Sequence, residues 1–322
     1  MLVGRDHLLA HNPHLPHWRR SPCRTPHRSG RSCRASIGAP EQPRIARSGW
    51  LTCSFMAVVA LVNQKGGVGK TTVTLGLAGA AAATGIRTLV IDIDPQANAT
   101  SGLGVWDPPI TVDHALAEER PGSLRECVLA SGWPGAAGRL PMVVASSPAL
   151  ASREPQLALD PLGAQDRLRV ALEGLDFDMV FIDCPPSLGL LTINGLFAAD
   201  RALVVTEPGA WATDGVAQII RTVDRISQRR RDPLALAGIA VNRLGRTRDA
   251  QYWYQQLCEA YSELVLPPVH MRAAVVEATA QSLPVHMLGT RPGAAEAAAE
   301  FDALLRRVVQ ATRTRPGGPD GV

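Results

Sequence analysis

The chain has 322 residues, which suffices for one large α/β domain or two smaller ones. Hydrophobic residues make up 46% of it, yet no apolar run reaches the roughly 18 residues that a membrane-spanning helix needs. The formal net charge of +4 is unevenly distributed, since residues 1–55 carry nine Arg against two acidic residues and residues 56–322 carry 24 basic against 27 acidic residues. The composition argues against an integral membrane protein and against a uniformly basic chain.

The first 55 residues are rich in Arg, Pro, Ser and His and have no sustained apolar period. Such a segment cannot bury enough surface to offset the entropy of ordering, so we expect a disordered basic extension. Met56 directly precedes the first predicted strand and is a plausible start, in which case the extension is not translated. A basic arm for nucleic acid is an alternative. A cleaved targeting signal is rejected, because cleavage after the apolar residues 50–62 would remove that strand.

A glycine-rich motif follows the first strand. Residues 57–62 are all apolar and predict a buried parallel strand, residues 63–72 read Asn-Gln-Lys-Gly-Gly-Val-Gly-Lys-Thr-Thr, and a helix is predicted over 70–84. This order is the context of a phosphate-binding P-loop, in which backbone N–H groups and the helix N-terminus face the phosphates. Lys70 would reach the β- and γ-phosphates, and the Thr71 hydroxyl would ligate Mg²⁺. The predicted nucleotide-binding residues here are Gly66, Gly67, Val68, Gly69, Lys70, Thr71 and Thr72.

The loop departs from the general P-loop pattern G-x-x-x-x-G-K-[ST] at one position. Gln64 stands where that pattern has glycine, and a second lysine, Lys65, follows it. The form x-K-G-G-x-G-K-[ST] resembles the deviant P-loop of the ParA/MinD family of dimeric ATPases, and its Asn-Gln-Lys opening resembles the ParA/Soj branch. The resemblance implies that Lys65 crosses the dimer interface to the partner's nucleotide. Lys65 and Lys70 are the only two lysines among the 33 basic residues.

A second acidic motif follows the next predicted strand, residues 87–92. The stretch Asp-Ile-Asp-Pro-Gln-Ala-Asn-Ala-Thr at 92–100 is similar to the family signature D-x-D-P-Q-x-N-A-T. The resemblance implies that Asp94 positions the attacking water and that Asp92 supports the Mg²⁺ shell. A solvated Asp-Pro turn is the alternative for this stretch taken alone.

The middle of the chain is less regular. Short helices are predicted near 112–119 and 123–130, a strand at 142–145, and helices near 149–159 and 163–174.

The apolar strand at 177–183 ends on Asp183, which is the Walker B arrangement for holding Mg²⁺. The residues after it read Cys-Pro-Pro-Ser-Leu-Gly-Leu-Leu-Thr-Ile-Asn, and with Asp183 they resemble the ParA pattern D-x-P-P-S-L-G-L-L-T-x-N. MinD-like relatives differ after the Asp. The stretch therefore favours the ParA branch.

The remaining predicted elements are strands at 203–206, 236–241 and 264–266 and helices at 211–229, 271–282 and 294–312.

The last of these helices has one apolar face, and MinD-like proteins bind membrane through such a terminal helix. A polar tail, residues 313–322, follows it here and is expected to be disordered. We therefore expect the face to pack on the sheet. The resemblance also assigns Asn242 to the adenine edge, although an ordinary polar strand end is an alternative.

Arginines are concentrated between residues 221 and 248, where eight Arg stand against two Asp. One interpretation is a surface that binds DNA phosphates without sequence preference, as the family does. A solvated helix face and loop is the alternative. The candidate DNA-binding residues are Arg221, Arg225, Arg243, Arg246, Arg248 and Arg272.

The sequence thus predicts an α/β P-loop NTPase in a single domain, residues 56–312, with a twisted, mostly parallel sheet and helices on both faces. The resemblance implies an ATPase that uses ATP and Mg²⁺, dimerises on ATP, hydrolyses slowly until a ParB-like partner stimulates it, and binds nucleoid DNA in the cytoplasm to segregate a chromosome or plasmid.

Three other functions stay open. They are a MinD-like membrane-associated positioning ATPase, an orphan ParA-like protein that positions another cargo, and a redox or metal-delivery relative. Cys127, Cys184 and Cys258 lie far apart and no C-x-x-C occurs, which argues against the last.

Overall fold

The computed structural model describes residues 56–135, 140–160 and 163–313. Seven strands form one sheet in the order β3-β4-β2-β5-β1-β6-β7, and every neighbouring pair is parallel except β3 with β4. The strands are β1 Ala57–Val62, β2 Thr88–Asp92, β3 Val128–Ala130, β4 Met142–Val144, β5 Met179–Asp183, β6 Arg201–Thr206 and β7 Ala235–Val241. The expected mostly parallel sheet is confirmed.

Helices cover both faces of this sheet, as predicted. They are α1 Lys70–Thr84, α2 Asn98–Gly102, α3 Val112–Ala117, α4 Arg153–Leu157, α5 Arg167–Ala171, α6 Leu190–Ala198, α7 Ala212–Ser227, α8 Arg248–Tyr261, α9 Ala273–Ala280 and α10 Ala294–Arg313. The sheet has one hydrophobic core on each face. Because side chains alternate along a strand, the central β1 contributes side chains to both cores. Val59 and Leu61 pack with α1, α9 and α10, whereas Val58 and Ala60 pack with α3, α5, α6 and α7.

The parallel register places the functional residues at one end of the sheet, where the carboxyl ends of the strands lie; this end is called the carboxyl edge below. Asp92 at the end of β2 lies opposite Asp183 at the end of β5, and Leu61 of β1 is aligned with Asp183. The carboxyl ends of β1, β2 and β5 therefore meet directly beside the loop that leads into α1. This is the edge at which parallel α/β sheets bind ligands.

Two predicted elements were wrong. The helix expected near 123–130 is a 3₁₀ turn, Ser123–Cys127, followed by β3, because edge pairing with β4 outweighs the local helical pattern. The strand expected at 264–266 is a 3₁₀ turn, Ser262–Leu264, and only Val265 pairs with β7, through an isolated bridge to Ile239. The expectations for residues 1–55 and for the tail beyond Arg313 fall outside the described residues.

The apolar face of α10 packs against α1, as the sequence indicated. Phe301, Leu304 and Val308 are fully buried. The Phe301 ring lies against Gly76 of α1 so closely that a Cβ at Gly76 would collide with it. The apolar face of α10 is buried in the core and is therefore not available to bind a membrane. Within residues 56–135, 140–160 and 163–313, no helix has both the length and the apolar character to span a bilayer.

Candidate nucleotide-binding site

The loop between β1 and α1 is shaped by two glycines with left-handed backbones, Gly67 at φ 82° and Gly69 at φ 85°. A Cβ at Gly69 would also collide with the Asn242 side-chain amide, so glycine is required there on two grounds. The amide N–H groups of residues 66–72 donate no hydrogen bond to any described residue. A curled loop with free N–H groups at a helix N-terminus is a cradle for phosphate oxygens.

Lys70 begins α1 and is buried under this loop. Its Nζ donates to the Asn63 carbonyl oxygen at 3.2 Å, and only 6% of the residue is exposed. Burial lowers the pKa of the Lys70 ammonium, and the nearby charge of Asp183 opposes that shift. The ammonium is held beside the cradle with few partners of its own, so an anionic phosphate would supply the compensation that it lacks.

Asp183 is held by two hydroxyls from α1. Thr71 Oγ1 donates to Oδ2 at 2.7 Å, and Thr74 Oγ1 donates to Oδ1 at 2.8 Å. The first of these pairs joins the P-loop threonine to the Walker B carboxylate, which the sequence assigned separately to Mg²⁺. Thr74 was not among the predicted residues, although its place one helical turn after Lys70 is a signal that would have found it.

Asp92 is fully buried and accepts three hydrogen bonds. The Thr100 amide and hydroxyl donate to its Oδ2 at 2.8 and 2.7 Å, and the Asp94 amide donates to Oδ1 at 3.1 Å. Burial raises the pKa of both Asp92 and Asp183, and the charge of Asp183 raises that of Asp92 further. Asp92 orders the loop that carries Asp94, and the Thr100 partner is the last residue of the motif at 92–100.

Asp94 lies at the same edge and is 8% exposed. Its Oδ1 accepts from the Gln96 amide at 2.9 Å, and no described residue donates to its other oxygen. The side chain is therefore oriented by the turn and keeps one free acceptor, which is what positioning a water molecule requires.

Asn242 follows β7 and is buried against the P-loop. Its Nδ2 donates to the Val68 carbonyl oxygen at 3.0 Å. The structure thus ties this residue to loop geometry, and its assignment to the adenine edge stays a prediction. Arg243, in a left-handed conformation at φ 55°, adds a second tie by donating to the Gly67 carbonyl oxygen at 2.6 Å.

Lys65 lies on the rim of the site. Its Nζ is 2.6 Å from Glu207 Oε1, and 63% of the lysine side chain is exposed. Glu207 directly follows β6, so the same sheet edge supplies this partner. Glu207 was not predicted as a site residue, and its signal is a carboxylate at the tip of a parallel strand.

The residues fit a nucleotide and a divalent cation. The free N–H groups and Lys70 match phosphate oxygens, while Thr71 and Asp183 offer the oxygen ligands that Mg²⁺ prefers. Asp92 accepts two hydrogen bonds at Oδ2 from Thr100 and one at Oδ1 from Asp94, so it has less free acceptor capacity than Asp183 or Asp94.

The candidate DNA-binding arginines do not form one group. Arg243, Arg246 and Arg248 are exposed at the carboxyl edge, and a bridge from Leu244 to His270 brings Arg272 to their side. Arg221 and Arg225 lie in the later turns of α7, which runs toward the opposite edge.

Arg272 differs from the other candidates in its pairing. It donates to Glu300 Oε1 at 2.6 Å, and its side chain is only 23% exposed. Arg246 and Arg248 make no hydrogen bond or ion pair with a described side chain, so they are the freest cations at this edge.

Comparisons with known proteins agree with this geometry. A family model described as an AAA domain matches residues 56–236. The chromosome partitioning protein ParA of Myxococcus xanthus is 39% identical over 195 residues, which cover 59% of this chain and 65% of that protein. The chromosome-partitioning ATPase Soj of Thermus thermophilus is 35% identical over 257 residues, which cover 79% of this chain and 97% of that protein.

Solved structures show the same fold. Apo McdA from Cyanothece superposes with a TM-score of 0.69 at 21% identity, covering 79% of this chain and 100% of that one. A cobyrinic acid a,c-diamide synthase from Mycobacterium smegmatis, with a bound ATP analogue and magnesium, superposes with a TM-score of 0.60 at 31% identity, covering 71% of this chain and 93% of that one.

The fold and the site define a P-loop ATPase with a parallel sheet and two lysines in its phosphate loop. Thr71 and Asp183 lie together beside that loop, with Thr71 Oγ1 2.7 Å from Asp183 Oδ2. The chain belongs to the ParA/Soj family of partitioning ATPases, as the motifs at 63–72, 92–100 and 183–194 predicted.

Proposed function

We propose that this chain is an Mg-ATP-dependent ATPase that dimerises on ATP, binds DNA without sequence preference and positions or segregates a chromosome or plasmid. The observation that carries the proposal is the pair of lysines on one P-loop. Lys70 is buried beneath the loop, whereas Lys65 stands on the rim with most of its side chain in solvent. One cation is thus built to serve the chain's own phosphates, and the other is free to reach outward.

Each residue at the edge has a distinct task in hydrolysis. The free N–H groups of residues 66–72 and Lys70 bind and orient the phosphates, while Thr71 and Asp183 hold the cation. Bound Mg²⁺ supplies neutralisation of the charge that builds on the phosphate oxygens. Asp94 accepts a hydrogen bond from the attacking water and aligns it, a role that affects the chemical step more than nucleotide binding.

Dimerisation depends on Lys65. Within one chain its ammonium pairs with Glu207, and an exposed ion pair of this kind contributes only about 0 to 1 kcal/mol. A partner's triphosphate is a stronger anion than one carboxylate, so Lys65 can exchange Glu207 for it at little cost. ATP would then join two copies, whereas ADP lacks the terminal phosphate.

DNA binding rests on the exposed arginines Arg243, Arg246 and Arg248 at the carboxyl edge. That edge also carries Lys65, so dimerisation through Lys65 would bring two such groups onto one assembly. The remaining candidates, Arg221, Arg225 and Arg272, contribute less, since two lie farther along α7 and the third is paired with Glu300. A ParB-like activator and a nucleoid location follow from the same function.

A direct test combines light scattering with an ATPase assay. Wild-type protein should be monomeric with ADP and Mg²⁺ and dimeric with ATP and Mg²⁺, and it should hydrolyse ATP slowly. A mass that is the same with either nucleotide would contradict the proposal. Association with anionic liposomes in place of DNA would favour the MinD-like alternative.

A further inference from the structure

A second basic site lies at the opposite edge of the sheet from the P-loop. A cavity of about 480 Å³ opens there, lined by the start of α5, the end of α6 and the connection from α7 to β7. Its lining residues are Gln165, Asp166, Arg169, Phe197, Arg229, Arg230, Arg231 and Asp232. The volume falls within the roughly 300 to 1,000 Å³ of small-molecule sites.

The cavity is built around one fixed guanidinium. Arg230 Nη1 donates to the Leu196 and Ala199 carbonyl oxygens at 2.8 and 2.6 Å. These bonds cap the end of α6 and tie the α7–β7 connection to the chain just before β6. Burial lowers the pKa of Arg230, and the charges of Asp200 and Asp232 oppose that shift. The cation is therefore rigidly held, and the connection that carries its neighbours is anchored.

Two further arginines in the lining have no partner. Arg229 and Arg231 are exposed and make no hydrogen bond or ion pair from their side chains to any described residue. Arg169, in contrast, is paired with Asp166 at 2.5 Å. The lining itself holds four Arg and two Asp, an excess of two positive charges, and Asp200 and Glu173 outside the lining act on Arg230 and Arg169 respectively.

We propose that this cavity binds a small phosphorylated ligand with at least two negative charges. Guanidinium groups form forked, charge-assisted hydrogen bonds to phosphate, and Arg229 and Arg231 line the cavity with no partner among the described residues. The half-buried ring of Phe197 gives the cavity an apolar wall, which suits the organic part of such a ligand.

A DNA backbone is the other source of phosphate, and the geometry disfavours it. The cavity lies at the amino ends of β6 and β7, whereas Arg246 and Arg248 follow the carboxyl end of β7. The 16 residues of α7 between these edges span about 24 Å, at about 1.5 Å per residue. Asp232, which has no ion-pair partner among the described residues, would repel a phosphate backbone that passes over it.

The test uses inorganic pyrophosphate as the probe and isothermal titration calorimetry as the readout. The full chain is first saturated with Mg-ADP, so that the P-loop is filled. Wild-type protein should then bind pyrophosphate at one saturable site. The R229A/R231A variant should bind about tenfold more weakly or worse, because two forked contacts are lost. R229K/R231K, which keeps the charge without the fork, should fall between them.

The matched control is R306A/R307A, which removes two adjacent exposed arginines from α10 on the other face of the sheet. It should bind pyrophosphate as the wild type does, and all variants should share the wild-type melting temperature. Absence of saturable binding, or equal affinity in R229A/R231A and the wild type, would overturn the proposal. A third result would also overturn it: R229A/R231A binds duplex DNA more weakly than the wild type, and pyrophosphate does not displace DNA from the wild type. The cavity arginines would then be a DNA contact. If the cavity does not bind pyrophosphate, the function proposed for the P-loop is unaffected, because the two sites lie at opposite ends of the strands.

Discussion

Lys65 and Glu207 form an ion pair within one chain, with Nζ 2.6 Å from Oε1. The pair joins the second lysine of the P-loop to the carboxylate at the tip of β6. Arg243 adds a weak second contact, with Nη1 4.0 Å from Glu207 Oε2. Glu207 therefore has another cation beside it, and release of Lys65 does not leave the carboxylate isolated.

Lys65→Ala should bind nucleotide with near wild-type affinity and fail to dimerise. The side chain is largely in solvent, and Glu207 is its only acceptor among the described residues, so the chain's own phosphate cradle stays intact. Fluorescent-nucleotide titration and light scattering with ATP measure the two properties separately. Normal dimerisation of the variant would show that the second lysine has no role between subunits.

Lys70→Ala should lose nucleotide binding without loss of folding. The lysine is buried, and its charge has a desolvation cost that the uncharged alanine removes. The melting temperature without nucleotide should therefore stay close to the wild-type value, while the nucleotide-induced rise disappears. A variant that still gains stability from Mg-ATP would place the phosphates elsewhere.

Asp94→Ala should bind ATP and hydrolyse it far more slowly, so that the ATP-bound dimer accumulates. The carboxylate accepts one hydrogen bond, from the Gln96 amide to Oδ1, and no described residue donates to its other oxygen. Single-turnover hydrolysis and light scattering check both parts. Asp94→Asn is the matched control, since it keeps the turn and removes the charge. Wild-type turnover in the alanine variant would remove Asp94 from catalysis.

Mg²⁺ should stabilise the ADP complex more at about pH 8 than at about pH 5. Burial raises the pKa of Asp183 from 3.8 to about 6, so the folded chain holds a proton that the unfolded chain loses. This group therefore lowers the free energy of unfolding as pH rises from about 4 to about 6. Mg²⁺ binds the ionised carboxylate, and its benefit grows over the same window.

Melting temperatures with and without Mg²⁺ at both pH values measure this effect. Asp183→Asn removes a proposed cation ligand together with its titrating carboxyl, so the magnesium shift should become small at both pH values. An equal shift at both pH values in the wild type would mean that Asp183 is not the cation ligand.

The sequence predicted the individual strands and the P-loop well because each depends on a few consecutive residues. Short apolar runs predict the strand of residues 57–62 and the strand that ends at Asp183. The glycines at 67 and 69 predict the tight turn of the loop. What it missed depends on contacts between distant segments. Edge pairing with β4 turned residues 128–130 into a strand, and Glu207 meets Lys65 only because β6 lies beside β1.

The arginines illustrate the same limit on a functional surface. Residues 221–248 are basic as a stretch, yet β7 lies between Arg231 and Arg243. Arg231 therefore lies at the amino ends of the strands and Arg243 at their carboxyl ends. A charge count along the sequence cannot separate the two edges. Nor could it show that Arg272 is occupied by Glu300, 28 residues farther along the chain.

The most direct test of the account is a titration of random-sequence duplex DNA with ATP and with ADP at several salt concentrations. We expect binding with ATP and Mg²⁺ and little binding with ADP, and a log–log salt slope of about −0.9 per phosphate contact. The R246A/R248A variant should bind more weakly with a shallower slope, while R306A/R307A should match the wild type. Equal binding with ATP and ADP, or none with either, would contradict the claim that ATP controls DNA binding by this chain.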